Sequence, residues 1–261
     1  MRTIWLLGLI LLGCTVAQAQ DSFQLAPPVL RYHSVFFARS LPVTMEFAMA
    51  GTHIHYTLNG QEPTDQDPLY TRPVVLKKKL SVLKARVFGA GYRASEVVGA
   101  QFLRQGLTIA KLSHSPPNPT YRGSGPNTLI DGQGGMPALE SKTWLGFQDT
   151  VLLSLTLAKP QKVGQVLLQV LQNQGAWIFM PQQVVVYAAE KGSEQLVLVG
   201  TKLSEMNEDD QNGCRFIQID LDRKLKTRQV IVKVYPLAQL PAGHPGAGKP
   251  AWLFLDEINL Y

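Results

Sequence analysis

The chain has 261 residues, 45% of them hydrophobic, and a formal net charge of +6. That length allows one or two domains, each with an apolar core. Lysine and arginine are scattered, apart from Lys77-Lys78-Lys79 and residues 223–228; nucleic-acid binding wants a denser basic stripe and is not expected.

The first segment reads as a targeting signal. Arg2 supplies a short positive region, residues 4–16 are mostly apolar, and Ala17-Gln18-Ala19 is a small-x-small cleavage site. Residues 1–19 are therefore expected to be a signal peptide, with a secreted or periplasmic mature protein. The alternative is a lipoprotein signal, Leu11-Leu12-Gly13-Cys14, in which Cys14 is acylated and the protein is held at the outer membrane. A membrane is expected as a partner only in that case. Cleavage after Ala19 leaves Cys214 without an intramolecular disulfide partner.

From residue 27 to 103 the strand signals are short and regularly spaced. They fall at residues 41–48, 52–58, 73–76, 80–88 and 96–103, with a turn at Asn59-Gly60. Residues 104–126 are rich in breakers, and the domain junction is placed at their start. Strand signals return at residues 151–157, 164–171, 183–188, 196–201, 214–221, 229–234 and 251–259. The long Gly/Pro-rich loops 122–137 and 236–250 lie between them. Long loops in a compact domain are usually functional or stapled. No amphipathic helix of three turns is evident. The fold class expected is all-β, two β-sandwiches in series.

Two sets of motifs carry a resemblance. Ile54-His55-Tyr56-Thr57-Leu58-Asn59-Gly60-Gln61-Glu62-Pro63-Thr64, followed by Leu83-Lys84-Ala85-Arg86-Val87-Phe88, resembles the small Ig-like domain at the C-terminus of chitobiases and β-hexosaminidases. Leu129-Ile130-Asp131-Gly132, Trp144-Leu145-Gly146-Phe147, Gln174-Gly175-Ala176-Trp177 and Trp252-Leu253-Phe254-Leu255-Asp256-Glu257-Ile258 resemble a discoidin-like (factor V/VIII type C) domain. That domain is a galactose-binding-like jelly roll. In order, the motifs resemble the C-terminal region of bacterial family 20 β-N-acetylhexosaminidases. The resemblance implies an Ig-like domain over 27–104 and a discoidin-like domain over 105–261. The catalytic barrel of such enzymes needs roughly 200 residues or more and is not expected here.

The resemblance further implies carbohydrate binding without catalysis, as a glycan-binding or adhesion protein. The alternative is a structural protein that scaffolds a separately encoded hydrolase. Trp177, His244 and Trp144 are the candidate sugar-binding residues, because sugars stack on aromatic faces and are fixed by a few polar groups; packing is the alternative for the tryptophans, with Trp144 as a core or loop-anchoring residue. Asp131 and Glu257 match positions that bind calcium in discoidin-like sugar-binding modules, with loop carbonyls completing the about six to eight oxygens calcium takes. Asp256-Glu257 is the most tempting catalytic pair. Strand neighbours point to opposite faces, which argues against it. His53 and His55 share a strand face and read as solvated, and Glu208-Asp209-Asp210 reads as a hairpin tip.

Overall fold

The computed structural model describes residues 23–134, 142–190, 192–193, 195–204 and 212–261. The targeting segment, both Cys14 readings and Glu208-Asp209-Asp210 lie outside the described residues. Among the described residues the only helical pieces are single 3-10 turns at Thr128–Ile130 and Gln174–Ala176. Among the described residues no helix is long and apolar enough to cross a membrane.

Residues 29–104 form one β-sandwich. A three-stranded sheet holds β1 (Val29–Arg31), β3 (Leu41–Glu46) and β5 (Val74–Leu76), in the order β1-β3-β5. A four-stranded sheet runs β2 (Phe36–Phe37), β7 (Val98–Arg104), β6 (Leu80–Gly89), β4 (Thr52–Thr57). Alternation explains why these segments are strands. On β6, Ser81, Leu83, Ala85 and Val87 point inward and are buried, while the residues between them face out. Leu83, Ala85 and Val87 meet Val43, Met45, Leu76 and Phe102 in the core. The Asn59-Gly60 turn forms as expected. Gly60 sits at φ 83° and its N–H bonds the Val82 carbonyl.

Residues 109–260 form the second sandwich from one folded sheet. Its path is β12 (Leu196–Leu203), β11 (Gln183–Ala189), β13 (Gly213–Tyr235), β10 (Val151–Gln172), β14 (Leu253–Leu260), β9 (Leu145–Phe147), with β8 (Ile109–His114) also on β10. The sequence signals at 151–157 and 164–171 are two arms of the single strand β10. So are 214–221 and 229–234 in β13. The arms are offset by register shifts at Thr156/Gln161 and Val163/Gln165. The first arm of β10 pairs with β8 and the second with β14. Both arms therefore contribute to one core. Leu153, Leu155 and Leu157 meet Val166, Leu168, Val170, Val232 and Leu255 there.

Four strands escaped the sequence pattern, among them the short β1 and β2. β8 lies in the breaker-rich passage and is half exposed, so its alternation is weak. β9 is three residues long and includes Gly146, where a Cβ would come within 2.7 Å of Tyr121 and 2.8 Å of Phe254.

The second arm of β10 is buried on both faces. Its outward Leu167 joins Phe36 and Leu103 of the first sandwich, with Leu80, Phe216 and Tyr261 packed around them. The Phe36 and Phe216 rings meet edge to face, 6.3 Å between centroids. Polar bonds frame this contact. Lys79 Nζ donates to Gln165 Oε1 and lies 4.8 Å from the Tyr261 ring centroid. Gln165 Nε2 donates to Asp220, and the Tyr261 hydroxyl donates to the Arg104 carbonyl.

The core of the second sandwich gives a direct stability test. Leu155→Ala removes a fully buried side chain and is expected to cost about 2–5 kcal/mol in urea unfolding. Leu152→Ala, on the same strand but 43% exposed, is expected to change stability by no more than about 0.5 kcal/mol.

Candidate functional site

The structure brings Trp177 and His244 together. Trp177 ends the turn Gln174–Ala176 with φ 65° and ψ 20°. It is the only non-glycine residue with positive φ among the described residues. A bulky side chain in that region is strained, and such strain persists where surrounding structure over-determines it. Here the Trp177 N–H bonds the Gln174 carbonyl at 2.9 Å, and the Trp177 carbonyl accepts the Trp252 N–H at 2.8 Å. Its half-buried ring packs with Phe179, Leu237, Leu240 and Ala251.

Loop 236–250 holds the other side of that ring. It is stapled by its own backbone bonds, including Leu240 N–H to Lys249, His244 N–H to Pro241 and Ala247 N–H to His244. His244 lies edge-on to Trp177 at 6.0 Å and to Phe179 at 5.5 Å. Its Nδ1 accepts from the Gly246 N–H at 3.1 Å, which leaves Nε2 to donate to the Gln174 carbonyl at 2.9 Å. Both ring nitrogens are thus occupied, Nδ1 within its own loop and Nε2 in joining the two loops. His244 positions Trp177, and the direct sugar contact expected of it does not fit these bonds. The cation beside the aromatic is one the sequence reading missed: Lys249 Nζ lies 5.1 Å from the Trp177 ring centroid. Only its place in the Gly/Pro loop could have suggested it.

Trp144 does not join this group. It is 1% exposed and packs with Leu171, Ile178 and Phe254. No face is open for a sugar to stack on, and the expected binding role gives way to a core role.

Asp131 and Glu257 do meet. Glu257 Oε1 accepts the Gly132 N–H. Asp131 accepts the Gln133 N–H at 2.8 Å through Oδ1 and the Ser124 hydroxyl at 3.1 Å through Oδ2. Burial pushes the Glu257 pKa up to about 9; the Gly132 bond opposes this, while the nearby Asp256 and Asp131 carboxylates and a side-chain bond with Asp131 favour the protonated form. Among the described residues no third His, Cys, Asp or Glu joins the pair as a potential metal ligand. The part of the adjoining loop at 135–140 lies outside the described residues.

Strand alternation does not separate Asp256 from Glu257 as expected. Val170 pairs with Leu255 and Leu168 with Ile258, so Gln169 alone faces both acids across a β-bulge. The bulge shifts the parity of β14. Leu253 and Leu255 face the core before it, and Ile258 and Leu260 face the core after it. Both acids lie on the outer side of the sheet. Glu257 reaches Gly132, and the charge of Asp256, after burial, helps push the Cys214 thiol up to about 11. Asp256 is 0% and Glu257 3% exposed. Burial, rather than opposed orientation, is what keeps a glycosidic bond from reaching them.

His53 and His55 form no metal site with a third ligand among the described residues. His55 Nδ1 bonds to the Asp67 carbonyl at 2.7 Å and its ring lies edge-on to Phe88.

Comparison with known proteins adds the following. Residues 43–102 match the family described as "Fn3 associated". No curated protein matches the chain. Among solved structures, the GH29 fucosidase of Ruminococcus gnavus is similar at 13% identity and TM-score 0.34, over 58% of this chain and 24% of that one. The chain thus spans about a quarter of the length of that fucosidase. The family 32 carbohydrate-binding module of NanJ from C. perfringens, solved with galactose, is similar at 14% identity and TM-score 0.37, over 57% of this chain and 91% of that one. Chitosan-binding module 1 of a chitosanase/glucanase from Paenibacillus sp. IK-5 is similar at 15% identity and TM-score 0.35, over 60% and 96%. These overlaps are loose, and the two-sandwich architecture rests on the strand pairing itself.

The buried Glu257 gives a signed pH test. Its folded-state pKa of about 9 stands above its ordinary 4.5, so the folded state holds the proton more tightly. Its stabilising contribution is complete below pH 4.5 and is lost as pH rises toward 9. The thermal midpoint of the wild type is expected to fall across that window in a chelating buffer. Glu257→Gln, which cannot ionise, is expected to flatten that slope.

Proposed function

We propose that the protein is an exported, non-catalytic carbohydrate-binding protein, with a glycan as its partner. One observation carries the reading. A half-buried tryptophan is held in a strained backbone conformation at a loop junction, with a lysine beside its ring and a histidine fixing its edge. An aromatic platform with adjoining polar groups suits the apolar face and hydroxyl edge of a sugar. The absence of catalysis is read from the burial of Asp256 and Glu257. Export is read from the N-terminal sequence, with Cys14 lipidation as the alternative anchor.

We further propose that calcium binds structurally at Asp131 and Glu257, with loop carbonyls as the remaining ligands. Support comes from two carboxylates converging on a tight backbone turn. Calcium would displace the proton from Glu257, so its effect should grow with pH. The expected result is a thermal midpoint that rises on adding calcium, more at about pH 8 than at about pH 5, both inside the titration window. A midpoint unmoved by calcium at both would remove calcium from the site.

A second reading has its own observation. The edge strand β12 exposes Leu196, Val197, Leu198 and Leu203 at 38–64%. Exposed apolar edges mark pairing or docking surfaces. A separately encoded hydrolase docked there would make the protein a scaffold.

One set of assays separates the two. Wild-type protein is expected to bind members of a glycan array, and Trp177→Ala to lose about tenfold or more in affinity for at least one of them, with unchanged far-UV circular dichroism. Wild type that ignores every glycan but captures a hydrolase, with capture abolished by Leu198→Glu, would move the function to the scaffold.

A further inference from the structure

The outer faces of the two sandwiches do more than touch. They meet at Leu103, Phe36, Leu167 and Phe216, and beyond that contact they part to leave a cavity of about 1160 Å³. One wall is the outer face of β6 and β7, carrying Lys84, Arg86 and Gln101. The other is the outer face of β10 and β13, carrying Gln169 and Phe216, with Gln133 on the loop beside it. The Lys79–Gln165 and Tyr261–Arg104 bonds hold the walls at this separation.

Gln169 is the informative residue. It is 3% exposed, it lines the cavity, and its side-chain oxygen has no hydrogen-bond partner. Leaving such an amide unsatisfied costs about 1–3 kcal/mol, so a native structure rarely does it without reason. The rest of the lining is mixed. Arg86 is fixed by its bond to the Ser95 carbonyl at 2.7 Å, and Glu62 and Glu96 stand on the same side. Tyr32, 40% exposed at the mouth, is braced edge-on against Phe102 at 4.8 Å.

We propose that this interdomain cleft is a second ligand site, built for a polyhydroxylated ligand of the glycan class. The chemistry of the lining selects that class. Gln169 Oε1 needs a donor. Glu62 and Glu96 also accept, whereas Arg86 and Lys84 only donate. A phosphate or carboxylate ligand brings acceptors alone and leaves Gln169 unsatisfied next to two like charges. An apolar ligand satisfies none of these groups. A hydroxyl donates and accepts at one atom, and an array of them matches a lining of both kinds. The exposed Tyr32 ring adds an aromatic surface at the entrance. The ligand class rests on the carbohydrate reading given above, but the site is separate from Trp177.

Three variants test it on an array of neutral and acidic oligosaccharides. Gln169→Leu keeps the volume and removes the acceptor. Its thermal midpoint is expected to equal or exceed that of the wild type, because a buried side-chain oxygen with no partner is replaced by an apolar group. Gln101→Ala alters the opposite wall, at a side chain with no assigned hydrogen bond. On at least one glycan, both are expected to lose about tenfold in affinity while Trp177→Ala binds as wild type does. Should Gln169→Leu unfold, Gln101→Ala decides alone. If neither variant weakens any glycan that the wild type binds, the cleft site is wrong, and loss in Trp177→Ala alone would leave the carbohydrate reading standing. Loss in the cleft variants alone would instead remove Trp177 and keep the cleft. Wild type that binds no glycan overturns both.

Discussion

Between Val163 and Gln172 the strand β10 carries apolar side chains on both faces. Val166, Leu168 and Val170 fill the core of its own sandwich, and Leu167 reaches out to Phe36 and Leu103 of the other. A strand with two buried faces belongs inside a structure, not at its surface. Each fully buried leucine contributes about 1.5–3 kcal/mol relative to exposure, so separating the sandwiches would uncover Leu167 and its neighbours at a cost the chain avoids by docking. The polar frame adds direction to this apolar contact. Lys79, Gln165, Asp220, Tyr261 and Arg104 can all be satisfied only in one relative placement.

That docking sets what the rest of the molecule can do. It places the outer face of β6 and β7 opposite the outer face of β10 and β13, which creates the cleft around Gln169. Away from that contact, the two loops joined by His244 hold Trp177 against Lys249. Asp256 and Glu257 lie buried on the outer side of their sheet, with the half-buried Asp131 beside Glu257.

Much of this architecture was legible in the chain. Clean alternation marked Leu41–Glu46, Thr52–Thr57 and Leu80–Gly89, because each has one face in a core and one in solvent. β8 was illegible for the opposite reason: a half-exposed strand has no strong contrast between faces. Residues 158–162 looked like a boundary because Lys159-Pro160 interrupts the apolar pattern, yet the backbone continues through it as one bent strand. The site was less legible. Loop composition located Trp177 and His244, but the use of both imidazole nitrogens depends on Gln174 and Gly246 arriving from different loops. Trp144 could not be told from a surface tryptophan by its neighbours. The bulge at Asp256-Glu257 has no local signature, since it is defined by what Leu168 and Val170 pair with. Gln169 drew no attention in sequence, because a glutamine becomes notable only when burial removes its partners.

The central claim is that the half-buried Trp177 loop site binds a glycan without transforming it. The most direct measurement is a nitrogen-15 spectrum of the full chain titrated with the glycans it retains, followed by analysis of those glycans. The account predicts a saturable shift of the Trp177 indole N–H with the sugars recovered intact. An indole signal that no glycan moves, or a sugar that is cleaved, would contradict it.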